Sequence, residues 1–124
     1  MIHRHLLTAL TVTSLAASLA FAAEDTNPIK EAMKYAHKAP KGEKKICEKI
    51  SEGTASDEEV KKTLDLYKAI GDTKPPKGEA SAFKAKLARL ITATEEVAAK
   101  KPEGAVHYKE AANCKACHGD HKGT

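Results

Sequence analysis

Five residues near the C-terminus, Cys114-Lys115-Ala116-Cys117-His118, limit what this chain can become more than any other stretch. C-x-x-C-H is the attachment signal for a c-type haem. Each cysteine adds through sulfur to one vinyl group of the porphyrin, and a two-residue gap lets a single turn of chain span both vinyls. The adjoining histidine offers an imidazole nitrogen to the iron as its proximal ligand. In a helix, Cys114, Cys117 and His118 fall at i, i+3 and i+4 and share one face. Three plainer uses compete: a structural disulfide, half of a zinc site, or a thioredoxin-like redox pair. Zinc needs two more ligands at suitable spacing, and the chain has no second Cys/His pair. A thioredoxin-like pair belongs beside a βαβ pattern, which is missing here.

The haem reading gains strength from the N-terminus, because bacterial c-type attachment takes place outside the cytoplasm. Arg4 is followed by an apolar run from Leu6 to Phe21, broken only by Thr and Ser, and Ala20-Phe21-Ala22 gives an A-x-A cleavage pattern. Residues 1–22 are therefore expected to be a secretory signal peptide and 23–124 a single exported domain. The apolar run is short for a membrane span. No cysteine follows the cleavage point to carry a lipid. A periplasmic protein without a membrane anchor is the expectation.

About a hundred residues then remain, enough for one modest core. Cleavage removes Arg4 and no acidic residue, so 20 basic side chains face 17 acidic ones, a formal balance of +3. That is too mild, and too interspersed with Glu, for nucleic-acid binding. The chain has no Trp, and Phe83 is the only Phe outside the leader. A core so poor in aromatics would benefit from the apolar surface of a buried porphyrin.

Periodicity makes the domain all-α. Asn27-Pro28 suits a helix start, after which Ile29, Met33, Ala36 and His37 fall on one side. Pro40-Lys41-Gly42 breaks this helix or separates it from a second, Glu43 to Glu52, closed by Gly53. Ser56-Asp57-Glu58-Glu59 is a capping box opening a third helix, with Val60, Leu64, Tyr67 and Ile70 inward and Gly71 at its end. After the loop from Asp72 to Gly78, the longest helix runs from about Glu79 to Lys100. Glu103-Gly104 turns into a last helix, about Ala105 to Asp120, which carries the motif. No alternation of period two suggests a strand.

On these features the chain resembles the class II cytochromes c, the group that includes cytochrome c′ and its methionine-ligated low-spin relatives. The likeness spans about Asn27 to Lys122 and rests on an export signal, helices, and C-x-x-C-H in the last helix. Met33-Lys34-Tyr35-Ala36-His37-Lys38, Lys74-Pro75-Pro76-Lys77-Gly78 and Ala111-Ala112-Asn113-Cys114 through His118 are similar to segments of short secreted cytochromes of this type. The break at Pro40–Gly42 and the short mature chain depart from the group. The resemblance implies an antiparallel four-helix bundle, up-down-up-down, with one covalent haem c at Cys114 and Cys117 and His118 on the iron.

First and last helices are neighbours in such a bundle, so the first covers the haem face opposite His118. It offers Met33 and His37, at i and i+4. Met33 occupies a position like that of the ligating methionine in the low-spin relatives and is preferred as distal ligand. His37 is its rival, and an open sixth site ranks third. Otherwise Met33 is a flexible core filler and His37 a surface charge at a helix end. His121 is expected beside the haem edge or in solvent, His107 at the rim, and Cys47 as a small buried hydrophobe or an intermolecular disulfide partner.

The function expected is electron carriage by one haem; the alternative is a gas-binding (NO/CO) haem protein with an open distal site. No paired carboxylates and no nucleophile beside a base suggest an enzyme. A lysine-ringed haem edge would suit acidic redox proteins as partners, and a homodimer is compatible with the sequence.

Overall fold

The computed structural model describes residues 27–123, and the expected leader, with its cleavage point, lies outside them. The described chain is all-helical: α1 Pro28–Ala36, α2 Ile46–Glu52, α3 Asp57–Ile70, α4 Ala80–Ala98, α5 Gly104–Ala111 and α6 Cys114–His121.

Most helix boundaries follow from local chemistry. The Asn27 side chain accepts from the backbone N–H groups of Ile29 (3.0 Å) and Lys30 (3.4 Å), with Pro28 in the first turn. The chain leaves helical geometry at His37, and Gly42 adopts φ +92° before α2. α1 and α2 are thus two helices, and α2 begins three residues later than expected. Gly53 closes α2 in the left-handed conformation, φ +74°. At the start of α3 the capping box forms in both directions: Glu59 N–H donates to Ser56 Oγ (3.1 Å), and Ser56 N–H donates to Glu59 Oε2 (3.0 Å).

The inward face of α3 is Val60, Thr63, Tyr67 and Ile70, so Thr63 is buried where Leu64 was expected, and Leu64 is half-buried. The Thr63 hydroxyl donates to Glu59 O at 2.8 Å, which removes the cost of burying it. Thr94, inward on α4 beside Phe83, Leu87 and Ala93, donates to Leu90 O in the same way (2.7 Å).

α1 packs on α3, α3 on α4, α4 on α5 and α5 on α2, which touches α1 again; the five enclose the core in a closed circuit. Ala32, Ile50, Val60, Tyr67, Ile70, Phe83, Leu87, Ala93 and Tyr108 fill it. At the α4–α5 corner the backbones come so close that a Cβ on Gly104 would stand 2.8 Å from Val97 N. α6 stays outside the circuit and packs chiefly on α4. α1 meets α5 chiefly through α2, so the first helix and the divided last one are not the direct neighbours that were expected.

The last helix differs from expectation. Helical geometry lapses at Ala112 and Asn113, dividing it into α5 and α6. Asn113 becomes the N-cap of α6, its side chain accepting from Ala116 N–H at 3.1 Å. An Asn that satisfies a free amide in this way favours a new start over a continued helix.

Candidate functional site

Cys114, Cys117 and His118 lie on α6, and Asn113 sets where that helix begins. Both thiols are free; Cys114 and His118 are exposed and Cys117 is half-buried. Burial raises the pKa of Cys117 above its ordinary value, with Lys86 acting the other way. Cys114 stands close enough to Cys47, Tyr67 and Tyr108 for its charge to help raise the pKa of all three, although burial is the largest cause in each. The start of the motif therefore lies near residues of α2, α3 and α5.

A hydrogen-bonded chain joins two of these residues. The hydroxyls of Tyr67 and Tyr108 are 2.7 Å apart, and both residues are fully buried. Tyr67 Oη is also 2.8 Å from His37 Nε2, with the two rings tilted and their centroids 5.9 Å apart. Each hydroxyl has a partner, as buried polar groups require. Burial holds both tyrosines well above the usual phenol range, so both stay protonated. Burial also lowers the pKa of His37 to about 4, helped by the charges of His118 and then Lys45. His37 is thus neutral near pH 7, and it lies on the side from which His118 is felt.

His37 is accordingly not the free surface charge that a helix end suggests: it is half-buried and tied to Tyr67. Met33, one turn earlier, is half-buried and packs against the core, as does Cys47. His107 stands apart from the motif, exposed and paired with Glu96 (Nδ1 to Oε2, 2.6 Å). His121 is only 3% exposed, so it does not stand in solvent, one of the two places expected of it. It packs edge-on against Phe83, centroids 5.3 Å apart, and its Nδ1 donates to Lys77 O at 3.1 Å. Sequence reasoning missed the partner of Tyr67 and the burial of His121. Two tyrosines in a chain with only three was a signal for the first, since a buried phenol seeks a polar partner.

The donor set fits a covalently bound c-type haem: two unpaired thiols at the vinyl spacing and an adjoining imidazole, all on one helix, with Cys114 and His118 exposed and Cys117 half-buried. Among the described residues, no group of three or more His, Cys, Asp and Glu side chains is arranged to hold a metal ion directly. An open groove of about 440 Å³ between α1, the following loop, α2 and α3 is lined by mixed charges, including Lys34, Lys38, Glu59 and Lys62. It contains none of the motif residues. Compared with protein-family models, with curated proteins and with solved structures, the chain matches none.

Proposed function

We propose that this protein is an exported, periplasmic c-type cytochrome that carries electrons through one haem held by Cys114 and Cys117, with His118 as the proximal ligand. One observation supports the reading: the C-x-x-C-H residues sit on a single short helix with both thiols unpaired, Cys114 close enough to influence Tyr67 and Tyr108 electrostatically and His118 close enough to influence His37. The haem would supply one-electron chemistry between ferrous and ferric iron. The protein's part is to anchor the porphyrin, give the iron a proximal imidazole, and set the polarity around it through Tyr67, Tyr108 and His37.

The finer architecture belongs to the same proposal: an antiparallel four-helix bundle, up-down-up-down, of α1, α3, α4 and the divided α5–α6, with α2 as a bridge. The packing of α1 on α3, α3 on α4 and α4 on α5 supports it. Exposed Lys77, Lys115 and Lys122 surround the motif, and acidic redox proteins are the partners such a rim would steer.

The sixth position admits three readings. The bond between His37 and Tyr67 engages Nε2 of His37, which supports Met33 as distal ligand ahead of its rival His37, with an open, gas-binding site third.

The test is to express the full chain in a host that matures c-type cytochromes. The mature protein is expected to gain one haem's mass, lost in Cys114→Ala/Cys117→Ala, and to show sharp low-spin bands. High-spin bands that shift with CO or NO would replace electron carriage with gas binding. A mass equal to the bare chain, where a control cytochrome matures, would reject the haem.

A further inference from the structure

α6 is the helix least supported by the fold, yet it carries the whole motif. It has eight residues, stands outside the closed circuit, and is cut off from α5 at Ala112–Asn113. A helix that short does not persist by itself in water. Asn113 caps its first turn, and something must hold the rest.

The structure assigns that role to Lys86 and His121 as positioning residues, which clamp α6 to α4 and to the 72–78 loop and so fix where Cys114, Cys117 and His118 are presented. The function assigned to the clamp rests on the haem reading above.

The geometry is specific to α6. Lys86 Nζ reaches three acceptors on that helix: Ala116 O at 3.1 Å, Asp120 Oδ2 at 2.6 Å and His121 Nε2 at 3.3 Å. An ammonium has three N–H donors, and each has one of these acceptors to meet. Ala116 lies between the two cysteines, so the first contact fixes the motif's own turn. For His121 Nε2 to accept from Lys86, its proton must be on Nδ1, and Nδ1 does donate, to Lys77 O at 3.1 Å. The two ends of one imidazole thus join α4 to the loop, while Phe83 packs against the ring.

The loop is built to come this near. Gly78 has φ +82°, and a Cβ there would lie 2.4 Å from Asp120 O and 2.8 Å from His121 Nδ1. Any larger residue would push the loop off the clamp.

The clamp sets the rotation of α6 about its axis, and therefore where the His118 imidazole points. Lys86→Met keeps the stem and removes all three donors; Lys86→Arg keeps a donor for Asp120. In the matured full-length protein, Lys86→Met is expected to speed amide exchange across 114–121 roughly five- to tenfold while α3 is unchanged, the range expected for a partly exposed charge-assisted bond. It should also broaden the electron paramagnetic resonance signal of the ferric haem through a spread of His118 orientations, and Lys86→Arg should restore a narrow one. In the wild type, nitrogen-15 NMR should find the His121 proton on Nδ1. Asp120→Ala removes one acceptor at an exposed position and should give a smaller rise in exchange, about two- to threefold. It keeps the test decisive if Lys86→Met does not accumulate. Unchanged exchange in the variants, or a proton on His121 Nε2, would overturn the clamp. Exchange that rises while the ferric signal stays narrow would also overturn its role in aiming His118. If the wild type takes up no haem, the functional reading fails, while exchange and the His121 proton still decide whether the clamp exists.

Discussion

At the scale of single residues, the site turns on a histidine that burial keeps neutral. A neutral imidazole has a lone pair to offer, but His37 already shares Nε2 with Tyr67. Met33 has no hydrogen bond to give up. Met33→Ala is therefore expected to turn low-spin ferric haem high-spin and open it to CO, whereas His37→Ala should leave the spectrum nearly unchanged; reversed outcomes would make His37 the ligand. Acid stability gives a second, haem-independent reading of His37. Its pKa is about 4 in the folded chain against an ordinary 6.5, so the unfolded chain takes up the proton first as pH falls. Stability from this residue is fully present above pH 6.5, declines between 6.5 and about 4, and is gone below, with a total on the order of 3 kcal/mol at most. Urea titrations of Cys114→Ser/Cys117→Ser with and without His37→Gln should differ in slope over that window alone. Equal slopes would mean that His37 is not held neutral. The motif itself was fully legible in the sequence, because three ligand-type residues within five positions need no fold to bring them together. Tyr108 and Lys86 were not legible: their partners lie 41 residues away and 30 to 35 residues away, and only packing joins them.

At the scale of helices, starts were easier to read than interruptions. Ser56 and Glu59, or Asn27 and Pro28, act within one turn, so their chemistry is complete in a short stretch of sequence. Asn113 is different: the same residue can sit inside a helix or cap a new one, and the apolar pattern on either side does not choose. Thr63 was passed over for Leu64 because a threonine looks polar until its hydroxyl is turned back onto Glu59 O. The α4–α5 corner offers a sharp test of packing. Gly104→Ala would bring a Cβ to 2.8 Å from Val97 N and 2.9 Å from Glu96 C, both backbone atoms that cannot swing aside. The cost should be about 1–3 kcal/mol, a fall in thermal midpoint of roughly 5–15 °C by circular dichroism. A midpoint within a degree of the parent would show that the corner is looser than its geometry implies.

For the molecule as a whole, a core with one phenylalanine has little apolar area to spare. A porphyrin buried against it would add on the order of 25 cal/mol for each Å² it removes from water. The matured protein is therefore expected to melt cooperatively and well above Cys114→Ala/Cys117→Ala, whose transition should be lower and broader; coincident melts would mean that the helices need no haem. The helical class was legible from period alone. How the helices pair was not, since a chain rich in Ala, Lys and Glu presents several similar faces. This gives the Tyr67–Tyr108 contact a further consequence. Small aliphatic side chains slide past one another at little cost, so apolar packing alone would tolerate α3 shifted by a turn against α5. A bond between two buried hydroxyls 2.7 Å apart exists in only one alignment, and every slipped one leaves the Tyr108 phenol unsatisfied while Tyr67 keeps only His37. The pair works as a vernier mark: it adds little to the depth of the native state and a great deal to its separation from near copies of itself.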